Sequence, residues 1–276
     1  MKKFLSVLLV LAMLLALTAC GEKEAVTYGF LDETLGVETY NIAFRKGDTE
    51  NRDMIVAGFK AIVENGTYEK IAAKYPDVKD YITVKKGDFA GEKLPAAGSF
   101  AGKEFTQGFD LDYPPYSYLD NSGAVGGLDV ETCKAICEYL GVTYKPLPFN
   151  WDAKDAELAA KSCDCIWSGL TYEGREDDYL WGMEYSKNTQ MILVASNSGI
   201  KTLADLKGKV VGVQIATSAL DLLEDEEDQK ALADTFKELK TYETYTIAFA
   251  DLKAGAIDAI AIDATAGGFL IANDAK

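Results

Sequence analysis

Three parts of the sequence place polar residues where a strand ends and a turn or helix begins. Thr217 and Ser218 follow the strand-like VGVQ and open a helix, where free backbone amides and the helix dipole favour an anion. Asp263 ends the apolar stretch AIDAIAID, and a carboxylate there is costly to bury without a partner. Arg175 offers the forked donor geometry that suits a carboxylate. Simpler roles remain open, as helix caps for the first three and as a surface ion pair for the arginine.

The composition argues against several classes of function. The 276 residues include no histidine, which removes Ser-His-Asp and Cys-His nucleophiles, most zinc sites and the commonest general base. The net charge of −16 leaves no basic patch for phosphates, and it argues against nucleic-acid binding and electrostatic attachment to anionic lipid. We therefore expect a protein that is not an enzyme and that carries no cofactor and no metal.

Four cysteines in the middle of the chain form two closely spaced pairs. Cys133 and Cys137 lie four residues apart, on the apolar face of a predicted helix. Cys163 and Cys165 lie in the predicted short strand CDCIW, and we expect them to point to opposite faces. Neither spacing is usual for a zinc site. Buried core thiols are the preferred interpretation, and a disulfide or a metal site remains an alternative.

The first twenty residues have the pattern of an export signal. Two lysines precede the short apolar run 4–17, and the ending Leu-Thr-Ala-Cys is typical of a lipoprotein processing site. The apolar run is shorter than the ~20 residues that a membrane span needs. We predict a signal peptide at 1–19, a lipid on Cys20 and a tether at 20–25, and therefore an extracytoplasmic protein anchored to the cell membrane by its N-terminal lipid.

Beyond residue 103 the strand and helix patterns alternate, which predicts an α/β fold with largely parallel sheets and ligands at the carboxyl ends of strands. The predicted strands are 104–109, 142–147, 163–167, 190–195, 210–213 and 257–262, and the predicted helices are 129–140, 153–161, 218–223, 229–239, 245–253 and 264–272. Before residue 103, two strand-like stretches, 26–28 and 39–44, are separated by a predicted turn at Leu35-Gly36. Two helices follow, and then a segment rich in glycine, 77–103, reads as a linker.

The order of these motifs resembles the amino-acid-binding solute receptors of ABC importers, the family 3 solute-binding proteins. The motifs that carry the resemblance are GFDLDYPPYSYLDNSGAVGGLDVETCKAICEYLGV, CDCIWSGLTYEGRED, LKGKVVGVQIATSALDLL and AGAIDAIAIDATAGGFLIANDAK. They follow the first three-quarters of such a receptor, and the missing last quarter resembles residues 28–75. The resemblance spans 26–76 and 100–276. It implies a two-lobed periplasmic-binding-protein type II fold that is circularly permuted, with two crossover hinge strands.

The resemblance also implies which residues hold a free amino acid. Such a ligand needs a forked cation and backbone amides for its α-carboxylate, and a carboxylate for its α-ammonium. Arg175 is the implied carboxylate clamp, Thr217 and Ser218 are its second half, and Asp263 is the implied partner of the ammonium. Three residues at the end of the preceding strand are implied as further contacts of these two groups: Ser168, Gly169 and Thr171.

Three other residues are implied as walls of the side-chain pocket. Asp110 and Tyr113 match positions where an acid and an aromatic ring line the ligand, and Trp151 matches an apolar position beneath the ligand side chain. If Asp110 points inward, a cationic or polar amino acid is favoured. Tyr116 and Tyr118 are expected to pack within a lobe.

The permuted order predicts the division of the chain into lobes and the partners of the protein. Lobe 1 is expected at 40–194, continuous through the linker 77–103, and lobe 2 at 195–276 plus 26–39. The crossover strands are expected at 190–195 and 39–44. The implied partners are the free amino acid, the permease subunits of an ABC importer and the membrane, reached through the N-terminal lipid, with the protein acting as a monomer.

Two other functions remain open for the same fold. One is an enzyme of the cyclohexadienyl dehydratase type, for which Glu173 is the only candidate acid in the motif loop. The other is a ligand-sensing domain without a transport role.

Overall fold

The computed structural model describes residues 25–120, 122–225 and 228–274. The strands are β1 (Tyr28–Phe44), β2 (Glu104–Asp110), β3 (Asp112–Tyr113), β4 (Ser117–Leu119), β5 (Val125–Gly126), β6 (Thr143–Phe149), β7 (Cys165–Ile166), β8 (Leu180–Ala195), β9 (Val210–Gln214), β10 (Glu238–Tyr242) and β11 (Ala259–Asp263). The α-helices are α1 (Thr49–Glu64), α2 (Thr67–Ala72), α3 (Leu128–Leu140), α4 (Lys154–Ala159), α5 (Ser218–Glu224), α6 (Lys230–Ala233), α7 (Tyr245–Ala254) and α8 (Ala264–Asp274). Short 3-10 turns lie at Pro76–Val78, Trp151–Ala153 and Leu203–Leu206.

Two long antiparallel strands run through the middle of one eight-stranded sheet. The strand order is β10-β9-β11-β8-β1-β7-β2-β6, and the register of β1 against β8 runs from Tyr28 opposite Ala195 to Phe44 opposite Leu180. We call β2, β6 and β7 with α1–α4 the first lobe, and β9–β11 with α5–α8 the second lobe. Within each lobe the outer strands pair in parallel, so their carboxyl ends meet at one edge.

Helix α1 anchors the early part of the chain in the first lobe. Asp48 caps it by accepting a hydrogen bond from the backbone N–H of Asn51. Its apolar face is buried against α3, and the two helices approach closely at Gly58, where an added Cβ would lie 2.7 Å from side-chain atoms of both Ile136 and Leu140. The glycine therefore permits this helix–helix contact.

The segment 77–103 has little regular structure and packs on the first lobe. The backbone N–H groups of Gly87 and Phe89 both donate to Glu64 Oε1 at 2.9 Å, at the end of α1. Farther along, the N–H groups of Gly98 and Phe100 donate to backbone carbonyls at the end of α3. The segment therefore joins α2 to β2 within one lobe.

Three sequence-based predictions of strands and helices are wrong in detail. The predicted turn at Leu35-Gly36 is absent from β1, because register shifts keep the strand paired with β8 while Leu35 enters the core of the second lobe. Strand β8 begins ten residues before its predicted start. The predicted helix 229–239 ends early, because its last residues form β10, paired in parallel with β9.

The four mid-chain cysteines are buried in the described chain and none of them forms a disulfide there. Cys133, Cys137 and Cys165 belong to the largest hydrophobic cluster, whereas Cys163 lies in another cluster. The two cysteines do face different clusters, but the strand reasoning behind that prediction is wrong: β7 begins at Cys165, so Cys163 lies before the strand, and two alternate residues of one strand would share a face. Burial raises the pKa of the Cys133, Cys163 and Cys165 thiols.

The predicted signal peptide, the lipid-bearing Cys20 and most of the tether lie outside the described residues. None of the helices in the described ranges combines the length and the apolar composition needed to cross a membrane.

Candidate binding cleft

A nearly closed cleft, with a free cavity of about 20 Å³, lies between the two lobes, at the edge where the strands of both lobes end. It is lined by Asp110, Tyr113, Trp151, Ser168, Gly169, Thr171, Arg175, Gln214, Thr217, Ser218 and Asp263. The structure thus brings all ten predicted binding residues together around one space and adds Gln214. The reason is topological, because each of these residues follows or ends a strand, or opens the helix after it.

Residues of both lobes offer donors suited to an anion. Arg175 is largely buried, with 11% of its side chain exposed, and its Nη2 lies 2.5 Å from Asp221 Oδ2 of the second lobe. Thr171 Oγ1 lies 3.1 Å from Ser218 Oγ, across the same gap. The simpler reading of the arginine as a surface pair with its own loop is wrong, since its partner is in the other lobe.

The junction between β9 and α5 is shaped by strain and by a cap. Ala216 adopts a left-handed φ of +59°, which is uncommon for a residue with a side chain. Thr217 then caps α5, accepting from the N–H of Leu220 and donating to the Gln214 carbonyl at 2.8 Å. Thr217 is therefore an N-cap, and it faces the cleft as well.

The second lobe contributes a buried carboxylate that has no cationic partner in the described part of the chain. Asp263 Oδ1 accepts hydrogen bonds from Tyr40 at 2.8 Å, Asn188 at 2.8 Å and Gln190 at 2.6 Å. The Tyr40 hydroxyl also lies 2.6 Å from that of Tyr113. In the part of the chain that the structure describes, no lysine or arginine pairs with Asp263. Neutral donors orient this carboxylate but leave its charge uncompensated.

The side wall of the cleft combines an acid, an amide and an aromatic ring. Asp110 accepts from the Asp112 N–H at 2.9 Å and from Gln214 Nε2 at 2.8 Å, and burial raises its pKa to about 7. Gln214 Oε1 is buried without a hydrogen-bond partner among the described residues. Lys154 Nζ lies 5.1 Å from the centre of the Trp151 ring. Asp110 does point inward, and the wall has an unused acceptor beside it.

Several residues of the site were missed by the sequence reasoning. Glu38 is buried on β1 and accepts from Asn188, Gln190 and Thr171 at 2.6, 2.8 and 2.9 Å. Burial raises its pKa to about 7, and the charge of Asp263 adds to this effect. The sequence does carry a signal for these residues, namely two polar amides at the alternate positions 188 and 190. It could be used only if the strand β8 was known to begin before residue 190.

Glu173, the candidate acid of an enzyme, lies away from the cleft lining. Its two carboxylate oxygens accept from the N–H and the hydroxyl of Thr39 at 2.8 and 2.9 Å, in an exposed position. This contact ties the loop before Arg175 to β1. It leaves Glu173 directed at the protein backbone in this structure.

Residues 105–251, more than half of the chain, match the family described as bacterial extracellular solute-binding proteins, family 3. The L-cystine-binding protein TcyJ of Escherichia coli K12 is 31% identical over 159 residues, which cover 56% of this chain and 57% of that protein. The ABC transporter arginine-binding protein 1 of the same organism is 28% identical over 166 residues, covering 59% and 64%. The chain thus spans less than two thirds of the length of these relatives.

Solved structures of two-lobed receptors are similar over a larger share. An ABC uptake transporter substrate-binding protein from Streptococcus pneumoniae, with bound histidine, has a TM-score of 0.57 and 29% identity, covering 62% of this chain and 70% of that one. The ancestral amino-acid-binding protein AncCDT-1, described as a precursor of cyclohexadienyl dehydratase, has a TM-score of 0.51 and 25% identity, covering 60% and 73%.

Proposed function

The chain belongs to family 3 of the bacterial extracellular solute-binding proteins and has their type II periplasmic binding fold, and from this premise we propose that it captures a free amino acid outside the cytoplasm and delivers it to an ABC importer. One observation carries the proposal. The cleft presents the Arg175 guanidinium from the first lobe and, from the second lobe, the Asp263 carboxylate, which no lysine or arginine of the described chain pairs with; a zwitterion requires such a pair of charges.

The α-carboxylate binds at Arg175 in this proposal. In the structure Asp221 holds the guanidinium, and 59% of its side chain is exposed. A ligand carboxylate displaces such an exposed partner at little cost, because water solvates the freed aspartate. Ser218 and the backbone amides that follow Thr217 supply further donors.

The α-ammonium binds at Asp263. Tyr40, Asn188 and Gln190 hold this carboxylate in place with neutral donors, so it needs no reorganisation when a cation arrives. An ammonium supplies the missing positive charge and turns a costly buried anion into a hydrogen-bonded ion pair.

The side chain of the ligand is polar or cationic in this proposal. Asp110 and the free Gln214 Oε1 accept hydrogen bonds from its end, while Trp151 packs against its carbon chain. A neighbouring cavity shares Thr171 and Ser218 with the cleft and is lined by five acidic residues: Glu38, Glu173, Asp221, Asp225 and Asp228. Four of these acids, all except the buried Glu38, are exposed, and their charge attracts cations to this cavity. Relatives named for cystine and arginine, and a neighbour with bound histidine, are in line with such a ligand.

Closure of the two lobes around the ligand is the proposed mechanism. Contacts already cross the cleft in this structure, between Asp110 and Gln214 and between Arg175 and Asp221. The long strands β1 and β8 connect the lobes and are the proposed hinge. A ligand that bonds to both lobes selects the closed population.

Delivery to a permease from the membrane surface depends on the predicted lipid on Cys20, with the protein acting as a monomer. Radiolabelled palmitate in expressing cells should label the wild type, and Cys20→Ala should lose the label and appear in the medium or periplasm. Unchanged labelling of the variant would contradict lipidation at this residue.

Differential scanning fluorimetry against the twenty amino acids, cystine and ornithine tests the function. Ligand at one hundred times its Kd adds about 2.7 kcal/mol to the apparent stability, which is a readily measured shift. The proposal expects a shift with a small group of polar or cationic amino acids. A protein that shifts with none of them is not an amino-acid receptor. A protein that shifts but has no permease partner would have a sensing role without transport.

An enzyme of the cyclohexadienyl dehydratase type is a second candidate, favoured by the similarity to the AncCDT-1 precursor. Against it, Glu173 is engaged by Thr39 outside the cleft lining. An assay of product formation from prephenate or arogenate decides between them, since a receptor binds without turnover.

A further inference from the structure

Two buried carboxylates in the cleft region share the same hydrogen-bond donors. Asn188 Nδ2 lies 2.6 Å from Glu38 Oε1 and 2.8 Å from Asp263 Oδ1. Gln190 Nε2 lies 2.8 and 2.6 Å from the same two oxygens. Only 6% of Glu38 and 4% of Asp263 is exposed. The two carboxylates are therefore bridged by the same pair of amide groups.

Strand register explains this arrangement. Glu38 on β1 lies opposite Asn188 of β8, and Asp263 on β11 lies opposite Gln190 of the same strand. Residues at alternate positions of a strand share one face, so β8 presents both amides between the acids of its two neighbours. The arrangement is built into the sheet rather than into a mobile loop.

Among the residues that the structure describes, no positively charged side chain contacts Glu38. The remaining neighbours that titrate are phenols, Tyr40 and Tyr113 beside Asp263 and Tyr245 on α7, and burial raises the pKa of all three. From the loop after β7, Thr171 donates to Glu38, and from α5, Ser218 bonds to Thr171 and Gln190. Arg175 is engaged by Asp221. Among the described residues, no lysine or arginine pairs with either acid.

We propose that Glu38 is a positioning residue of the amino-acid site, which with Asp263 forms a carboxylate pair that holds one proton in the empty cleft and releases it when the ligand ammonium binds. The inference rests on the proposed function. Like charges in a shared buried site cannot both ionise cheaply, and an incoming cation removes this restriction. When the ligand binds, the Glu38 carboxylic acid becomes a carboxylate and its proton passes to solvent. The ligand ammonium then pairs with the two negative charges of Glu38 and Asp263.

The direction of the pH dependence follows from this balance. Burial and the charge of Asp263 place the pKa of Glu38 at about 7 in the empty protein, and the ligand lowers it. Binding is therefore strongest above pH 7 and weakens as the pH falls below it. A pKa that moves from about 7 to well below 6 predicts roughly tenfold weaker binding at pH 6 than at pH 8.

Asp110 is the group most easily confused with Glu38, because burial also places its pKa at about 7 and it lines the cleft. The two acids differ in their partners. Asp110 accepts hydrogen bonds from Gln214 and from the backbone amide of Asp112. Glu38 accepts from two amides that also donate to Asp263, the proposed partner of the ammonium. The single substitutions Asp110→Asn and Glu38→Gln separate the contributions of the two acids to proton release on ligand binding.

Isothermal titration calorimetry with L-arginine tests the inference, because arginine itself does not titrate between pH 6 and 8. Where arginine gives no heat, the amino acid with the largest thermal shift replaces it. Titrations at pH 7 in phosphate and in Tris, whose ionisation enthalpies differ, give the number of protons released. We expect the wild type and Asp110→Asn to release about half a proton or more, and Glu38→Gln to release close to none. The Kd of Glu38→Gln should also change less than twofold between pH 6 and 8.

Different failures are distinguishable. Binding with heats independent of the buffer overturns the proton release but leaves the receptor function intact. Proton release that persists in Glu38→Gln and disappears in Asp110→Asn assigns the proton to Asp110 and overturns the role of Glu38. Absence of binding by every amino acid overturns the function and the inference together. If Glu38→Gln does not fold, NMR of wild-type protein with ¹³C-labelled glutamate must show one carboxyl that titrates near pH 7 and moves below pH 6 with ligand.

Discussion

Arg175 and Asp263 face the cleft from opposite lobes with opposite charges, and their surroundings differ in a way that suits their proposed roles. Arg175 is paired with an aspartate that is mostly exposed, so its partner is exchangeable. Asp263 is surrounded by neutral donors and is buried, so it retains its need for a cation. Charge complementarity at single residues is therefore the part of the function that substitutions test most directly.

Arg175→Ala should abolish measurable amino-acid binding and leave the fold intact. Truncating one partner of a buried charge pair costs about 2–5 kcal/mol in binding. Calorimetry gives the affinity and circular dichroism the fold. Arg52→Ala is a matched control, because Arg52 pairs with Asp53 away from the cleft lining and its loss should change the affinity less than twofold. Retention of affinity within threefold in Arg175→Ala would remove this arginine from the site.

Asp110 should set the preference for the ligand side chain. Lys, Arg, His or Gln should bind more tightly than Leu or Glu, since an acidic side chain would face a second carboxyl in a buried pocket. In Asp110→Ala the difference in affinity between these two groups of amino acids should become smaller. A competition series measured by fluorimetry gives the ranking, and tightest binding of Glu or Asp by the wild type is the result that contradicts this assignment.

At the scale of strands and helices, local pattern predicted what depends on neighbours in sequence. The ends of β2, β7, β9 and β11 could be predicted from local pattern to within one residue, and the family resemblance implied ten of the eleven residues that line the cleft. Glu38, Asn188 and Gln190 could not, because their proximity depends on the register of β1, β8 and β11, which are far apart in sequence. The same reason explains why the first residues of β10 were predicted to end a helix. Parallel pairing with β9 overrides their helical pattern.

Helix α1 offers a test of how tightly the early segment is integrated into the first lobe. Gly58→Ala should lower the free energy of unfolding by about 1–3 kcal/mol, because the new Cβ meets Ile136 and Leu140 at 2.7 Å. Gly268→Ala in α8 is the matched control, with no atom within 4 Å of its added Cβ, and it should be neutral or stabilising by about 0.5–1 kcal/mol. Urea unfolding measures both. Equal midpoints for the two variants would contradict the close α1–α3 contact.

For the whole molecule, we propose that the chain is a circular permutant of the family order. The match to the family begins at residue 105, yet β1 and α1, which precede it, pair with or pack on the matched elements. The two ends of the described chain lie together on α7. Tyr28 packs on Phe249 with ring centres 5.1 Å apart, and Asp274 pairs with Lys253, one helical turn along, at 2.8 Å. Ends that meet in this way permit rejoining.

A chain rearranged into the family order should therefore fold and bind. The variant begins at residue 93, in an exposed part of the segment 77–103, continues to 276, and returns through a short Gly-Ser linker to residues 25–92. Every contact of the cleft and of both crossover strands is retained, since only the covalent connection moves, so its Tm and its affinity should match the original within a few degrees and about threefold. The control opens the chain at Gly36 instead. That cut divides β1 between the two lobes and removes a hinge strand, so it should abolish ligand-dependent stabilisation. If the family-order chain failed to fold while the chain cut at Gly36 bound its ligand, the present order would be intrinsic to this architecture and the permutant interpretation would be wrong.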